Sequence, residues 1–149
     1  YYLNIIHSFY LIYMNYSIGI PLNEFDINNI ILKDKTINKL IPNSTFCKLM
    51  YSDEICHITG IPLYYEFNLD CKQNSNHLDS YKDNIKTIEQ AILNKYKSTT
   101  VKSPNYKLYN YLLKNLSKLL PNKHSILIKI IGIWESLYEY GITYRVTSH

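Results

Sequence analysis

Between Leu78 and Tyr96, apolar side chains stand at 78, 81, 85, 88, 92, 93 and 96, so successive steps are three, four, three, four, one and three residues. That spacing follows the turn of an α-helix and predicts one with a single inward face, started by Asn76 or Asp79 as a cap. Upstream, Tyr64–Leu69 (YYEFNL) is aromatic and alternates loosely, which predicts a strand. Downstream, the β-branched run Ser98–Lys102 predicts a second strand, stopped by Ser103-Pro104-Asn105 because proline has no amide to give a ladder. Ser125–Ile131 (SILIKII) reads as a central strand and Ile142–Thr147 (ITYRVT) as a terminal one. Between those two, Gly132–Tyr140 places Ile133, Trp134, Leu137 and Tyr138 on one helical face, with Gly141 suited to the left-handed position that ends a helix.

Tyr106–Leu120 mixes lysines with tyrosines and leucines and reads as a lysine-rich connection. From residue 64 the order is therefore strand, helix, strand, basic connection, strand, short helix, strand. This is the α+β, ferredoxin-like split βαβ pattern of four strands and two helices, with a long basic loop. The first 60 residues are harder to read. Tyr1–Met14 suits a strand or an apolar helix, Gly19, Pro21 and the Asn23–Asn29 cluster punctuate the chain, and Ile30–Ile41 suits a short helix or a strand before Pro42 and Asn43 end it. The expected organisation is an extension over 1–60 and a domain over 61–149.

Charge changes this picture in one place. Gln90–Trp134 holds eight lysines (Lys95, Lys97, Lys102, Lys107, Lys114, Lys118, Lys123, Lys129) and no Asp or Glu. The chain carries +4 in all, so the remainder sums to −4. A lysine band without acids suits a segment facing phosphates, where neutralisation releases counterions and steers association; a solvated lysine-rich surface is the bland alternative. Composition adds a setting. Tyr (16 copies), Ile, Asn, Leu and Lys dominate, Gly numbers only 4, and Ala is almost absent, a bias toward A/T-rich codons that suggests an organellar, viral or parasite genome. The expectation is an organelle-encoded protein.

The odd count of three cysteines (Cys47, Cys56, Cys71) argues against a disulfide framework and for a reducing compartment. Tyr1–Asn23 is uncharged and long enough for a membrane span, but five tyrosines, three asparagines, His7 and two serines dilute it, so a buried or partner-docked extension is the preferred reading.

Three short elements together resemble a family, the tenth protein of the ribosomal small subunit in its organellar (mitochondrial) form. Leu78-Asp79-Ser80-Tyr81 matches the opening of that family's first helix, Thr100-Val101-Lys102-Ser103-Pro104-Asn105 its Ser-Pro loop, and Gly141-Ile142-Thr143-Tyr144-Arg145-Val146 its final strand. The likeness covers about 64–149, and order and spacing carry it. Asn105 stands where the family has histidine, the segment before the Ser-Pro loop is shorter, and an Arg-rich continuation has become Tyr, Leu and Lys. The resemblance implies a non-catalytic, rRNA-binding protein of the small-subunit head in the mitochondrial matrix. Its partners would be ribosomal RNA and neighbouring ribosomal proteins, with neither cofactor nor small-molecule substrate. It places Lys102, Ser103, Pro104, Asn105, Tyr106, Lys107, Tyr109, Lys114 and Lys118 on RNA, the lysines meeting phosphates and Tyr106, Tyr109 and Tyr111 stacking on bases or packing as filler.

Other readings compete. Cys56-His57-Ile58-Thr59-Gly60-Ile61-Pro62-Leu63 looks like the opening of some HNH-type nucleases, with Asn76-His77-Leu78-Asp79 as a worn metal segment, yet no Asp-Arg element and no second histidine at useful spacing follow. Cys47, Cys56, His57, Cys71 and His77 include zinc-ligand types without the paired knuckles a structural site uses. A non-catalytic subunit of an organellar membrane complex, anchored by Tyr1–Asn23, would explain the uncharged run and leave the lysine band unexplained. Four glycines leave little room for a nucleotide-cradling loop.

Overall fold

The computed structural model describes residues 19–54, 56–67, 75–97, 101–121 and 123–149. The expectations for Tyr1–Met14, Ser98–Thr100 and Cys71 lie outside these residues. Eight strands form one mixed sheet: β1 (Ile20–Pro21), β2 (Ile30–Ile37), β3 (Thr45–Ser52), β4 (His57–Thr59), β5 (Ile61–Glu66), β6 (Ser103–Asn105), β7 (Ser125–Glu135) and β8 (Glu139–Ser148). Two helices accompany it, α1 (Ser75–Tyr96) and α2 (Lys107–Leu119).

β7 is the spine. Ile126, Ile128 and Ile130 alternate with more exposed positions, the period of a strand with one buried face. β8 runs antiparallel along one edge from Ile126↔Ser148 to Glu135↔Tyr140. Two strands share the other edge end to end, β5 against residues 125–130 and β3 against 132–135. The ladder to β8 shifts register between Ile130 and Gly132, so the buried set resumes at Ile133.

Pairing of residues 132–135 with β3 on one edge and β8 on the other explains why no helix forms over Gly132–Tyr140. Ile133 and Trp134 are successive strand residues on opposite faces, whereas Leu137 and Tyr138 stand in the hairpin turn, 66% and 82% exposed. Ser136 closes that turn: its Oγ accepts the Glu139 amide at 3.2 Å, and its own amide donates to the Glu139 carbonyl at 2.8 Å. Gly141 is accordingly an extended residue opposite Trp134, and a Cβ there would lie 2.8 Å from the Asn105 carbonyl and 3.0 Å from the indole.

The second helix falls instead in the expected basic connection. Leu108, Leu112 and Leu116 recur every fourth residue, all buried, and Leu120 continues the stripe. α1 covers the expected 78–96, with Tyr81, Ile85, Ile88, Ile92, Leu93 and Tyr96 buried, but it already runs from Ser75, so Asn76 and Asp79 lie inside the helix and do not cap it. Both helices cover the sheet face that carries Ile126, Ile128, Ile130 and Ile142, together with Leu49 and Tyr51 from β3 and Ile61 and Leu63 from β5. At roughly 1.5–3 kcal/mol for each fully buried large aliphatic side chain, this layer holds the domain together.

The α+β class therefore holds, as a mixed sheet with two helices, while the arrangement is not a four-stranded ferredoxin-like one. Residues 20–59 supply β1 to β4, so the sheet continues across the expected boundary at 60. Gly60, at φ +79°, joins β4 to β5, and its amide donates to the Leu49 carbonyl at 2.8 Å. Pro104 enters the sheet in β6, which pairs only with β8 and so leaves proline on an edge where no donor is needed.

Candidate nucleic-acid interface

The lysine band divides into cations that the fold neutralises and cations that it leaves in solvent. Lys102 belongs to the first group. Glu135, at the end of β7, is buried and holds both Lys102 and Lys35, the latter at 2.8 Å, and accepts a 2.5 Å hydrogen bond from the Tyr96 hydroxyl. Burial alone would raise the Glu135 pKa, but the hydrogen bonds from Lys102, Lys35 and Tyr96 outweigh it and hold the carboxyl at about 2. Burial and the bond to Glu135 push the Tyr96 phenol up to about 12. Lys102, its side chain only 17% exposed, completes this core-edge network and is not free for phosphate.

Neighbouring expected site residues also have structural partners. Ser103 and Pro104 are exposed on β6, but Asn105 donates to Glu139 at 2.9 Å and is half-buried. Tyr106 is half-buried at the position before α2. Tyr109 lies beneath the Lys86 ammonium, 5.1 Å from its ring centre, and Tyr111 packs on Tyr144 with ring centres 6.0 Å apart. These tyrosines form the seam between α2 and its neighbours, which fits packing better than base stacking. The expected long basic loop is a short strand followed by a helix.

Three of the seven other lysines of the band are ordered by α2. Lys107, Lys114 and Lys118 are all exposed, and at 100° per residue they fall within about 40° of one another on the side away from the leucine stripe. They span about 16 Å of helix axis at 1.5 Å per residue, or roughly five nucleotides at 3.4 Å each. Asn110 and Ser117, also exposed, flank the stripe, and α2 itself contains no acid.

A lysine at the first position of a helix opposes the positive end of the helix dipole. Two contacts compensate at Lys107. Its ammonium lies over the Trp134 ring at 4.2 Å, and the Glu89 carboxylate of α1 accepts the Leu108 and Tyr109 amides at 3.1 and 2.9 Å. Glu89 is fully buried; burial raises its pKa, and the two amides pull it back only in part. Neither acid was readable as an organiser of this surface, since Glu89 acts 19 and 20 residues away and Glu135 acts 33 and 100 residues away. The helix itself had left a signal, the four-residue spacing of Leu108, Leu112 and Leu116.

The cysteine and histidine candidates sit apart from this surface. Cys47 is buried and its thiol donates to the Lys33 carbonyl at 3.0 Å, Cys56 is half-buried, and the exposed His57 ring lies 3.0 Å from Ser52 Oγ. His77 is exposed in the first turns of α1. Among the described residues no three His, Cys, Asp or Glu side chains converge as metal ligands, and no described helix is long and apolar enough to cross a membrane.

Comparison with protein-family models, with curated proteins and with solved structures yields no match.

Proposed function

We propose that this protein is a non-catalytic RNA-binding protein that docks the Lys107–Lys114–Lys118 stripe of α2 along a phosphate backbone. The observation that carries the reading is the geometry of that stripe, three exposed cations in register on one helix face with no acid within the helix. Each phosphate neutralised releases counterions, so the stripe supplies salt-sensitive affinity and orientation rather than sequence choice.

As the finer reading we propose a structural constituent of an organellar, mitochondrial small ribosomal subunit, in contact with ribosomal RNA and neighbouring proteins. The Leu-Asp-Ser-Tyr opening of α1 and the Ser103-Pro104 element before α2 support it, together with the A/T-biased composition. The element order departs from that family's, so RNA binding rests on the stripe and not on the resemblance.

The test is co-sedimentation of the full chain with small ribosomal subunits in organelle lysate, with release by high salt or ribonuclease. Recovery in a detergent-extracted membrane complex free of RNA would sink the ribosomal reading. For the stripe, duplex RNA binding by Lys114→Gln/Lys118→Gln is measured across salt concentrations. The slope of log affinity against log salt falls by about 1.5 to 2 if both lysines meet phosphates. An unchanged slope would remove α2 from the interface.

A further inference from the structure

The sheet has a second face, which neither helix lies across; Trp134 is buried at one end of it under the Lys107 side chain, and the charge pattern of the rest is unusual. Lys129 on β7 stands directly opposite Arg145 on β8, both exposed, and neither has an ion-pair partner among the described residues. Side chains directly opposite across antiparallel strands have Cβ atoms about 5 Å apart, and like charges so placed repel. Lys48, exposed on β3, adds a third cation on the same face, its register partner being Gly132 on β7. The acids lie away from its middle, Glu66 and Glu139 at its ends and Asp34 in the β2 irregularity opposite Lys48. Glu66 is opposite Ser125, four residues along β7 from Lys129, and Glu139 is held by Asn105. The middle of the face is therefore an unneutralised cationic band, which fits an anionic occupant.

Aromatic groups flank that band. Tyr64 on β5 follows, by two residues, the Pro62 that pairs with Lys129; Phe46 on β3 precedes Lys48 by two, and both rings are half-exposed. Two-residue spacing puts each aromatic on the same face as the cations. Phe46 also lies across Gly132, where a Cβ would come within 2.4 Å of its Cζ, so the backbone of β7 is stripped of a side chain beneath the ring. Cations for phosphates alternating with aromatic rings on an open sheet are the means by which proteins hold unpaired nucleotides.

We infer that this open face is a second nucleic-acid site and that its ligand is single-stranded RNA. The strand crosses from β8 over β7 to the edge that β5 and β3 share, with phosphates at Arg145, Lys129 and Lys48 and bases against Tyr64 and Phe46. The site shares with the proposed function only the class of partner. It lies on the side of the sheet opposite α2 and takes the unpaired form, so the protein holds a single strand on one side and a phosphate ridge on the other.

The experiment is fluorescence anisotropy of the full chain with a ten-nucleotide oligouridylate and, separately, with an RNA duplex. Lys129→Gln/Arg145→Gln relieves an opposed pair of like charges, so its thermal midpoint stays at or above that of the parent, which is checked first. Expected is a loss of oligouridylate affinity of tenfold or more and a salt slope reduced by about 1.4, near 0.7 for each lost phosphate contact. Lys114→Gln/Lys118→Gln should leave oligouridylate binding within twofold of the parent. If oligouridylate affinity is indifferent to Lys129→Gln/Arg145→Gln while duplex binding still depends on Lys114 and Lys118, this inference falls and the α2 interface stands. If neither RNA binds, both fall. Retention on anionic lipid vesicles without oligouridylate binding assigns the face to a membrane surface and overturns the inference.

Discussion

Glu89 caps the helix that begins at Lys107 from the middle of a different helix: its Oε2 accepts the Tyr109 amide at 2.9 Å, twenty residues along the chain. The same carboxylate accepts the Leu108 amide, so two of the orphan donors at the start of α2 are satisfied by one fully buried side chain. The cap fixes where α2 starts, and with it the rotation that turns Lys107, Lys114 and Lys118 outward.

Glu89→Ala should therefore destabilise the protein by about 2–3 kcal/mol, since it removes a cap and leaves a cavity beside the leucine stripe. Glu89→Gln keeps the shape and one acceptor, and should cost about 1–2 kcal/mol. Urea unfolding measures both; a loss under 0.5 kcal/mol in the alanine variant would show that α2 starts without this cap.

Glu135 and Glu89 should impose opposite pH dependences. Glu135 is held at about 2, below the ordinary carboxylate value, so its stabilisation is full above the unfolded pKa and drains away as pH falls toward 2. Glu89 is shifted upward by burial, so its ionisation opposes folding, and that cost appears as pH rises through its folded pKa. Glu135→Gln should flatten the acid limb of stability between about pH 4.5 and 2, and Glu89→Gln should not. Chemical denaturation across pH 2–7 distinguishes them.

Lysines that look alike in the sequence should respond differently to one substitution. Lys102→Gln leaves Glu135 short of a buried partner and should cost on the order of 2–3 kcal/mol, discounted from a fully buried pair because Lys35 remains. Lys118→Gln, on the solvent side of α2, should change stability by less than 0.5 kcal/mol. In RNA binding the order reverses, with the salt slope moving for Lys118 and staying put for Lys102. Melting and anisotropy on the two single variants test the contrast.

Gly132→Ala should be among the most damaging small substitutions. Its Cβ would fall 2.4 Å from Phe46 Cζ and 2.5 Å from the Cys47 carbonyl, and a carbonyl in the β3–β7 ladder has nowhere to retreat. A loss of about 2–3 kcal/mol is expected from thermal melts, typical of overpacking with backbone displacement. A melting point within 2 °C of the parent would contradict the close approach.

α1 was legible over 78–96 because one amphipathic period runs through that span, whereas its start at Ser75, ahead of both expected caps, was not. α2 was not legible as a helix although Leu108, Leu112 and Leu116 keep helical spacing, because the lysines and tyrosines between them suit a basic connection equally well. The helix expected at Gly132–Tyr140 failed for another reason. Ile133, Trp134, Leu137 and Tyr138 satisfy a helical face on paper, but β8 and β3 offer pairing to both edges of residues 132–135, and two ladders outweigh one marginal turn. Of the expected site, Lys107, Lys114 and Lys118 form one surface, whereas Lys102 and Asn105 are engaged by Glu135 and Glu139 and Tyr106, Tyr109 and Tyr111 pack within the fold.

By itself the sequence determined the α1 helix, the alternating start of β7 and the acid-free lysine band, because each depends on side chains near one another along the chain. Tertiary structure decided which lysines stay exposed, that residues 20–59 join the same sheet, and that one sheet face presents Lys129 opposite Arg145. Those outcomes depend on strand register and on partners up to 100 residues apart, such as Lys35 and Glu135, which exist only once the sheet has assembled.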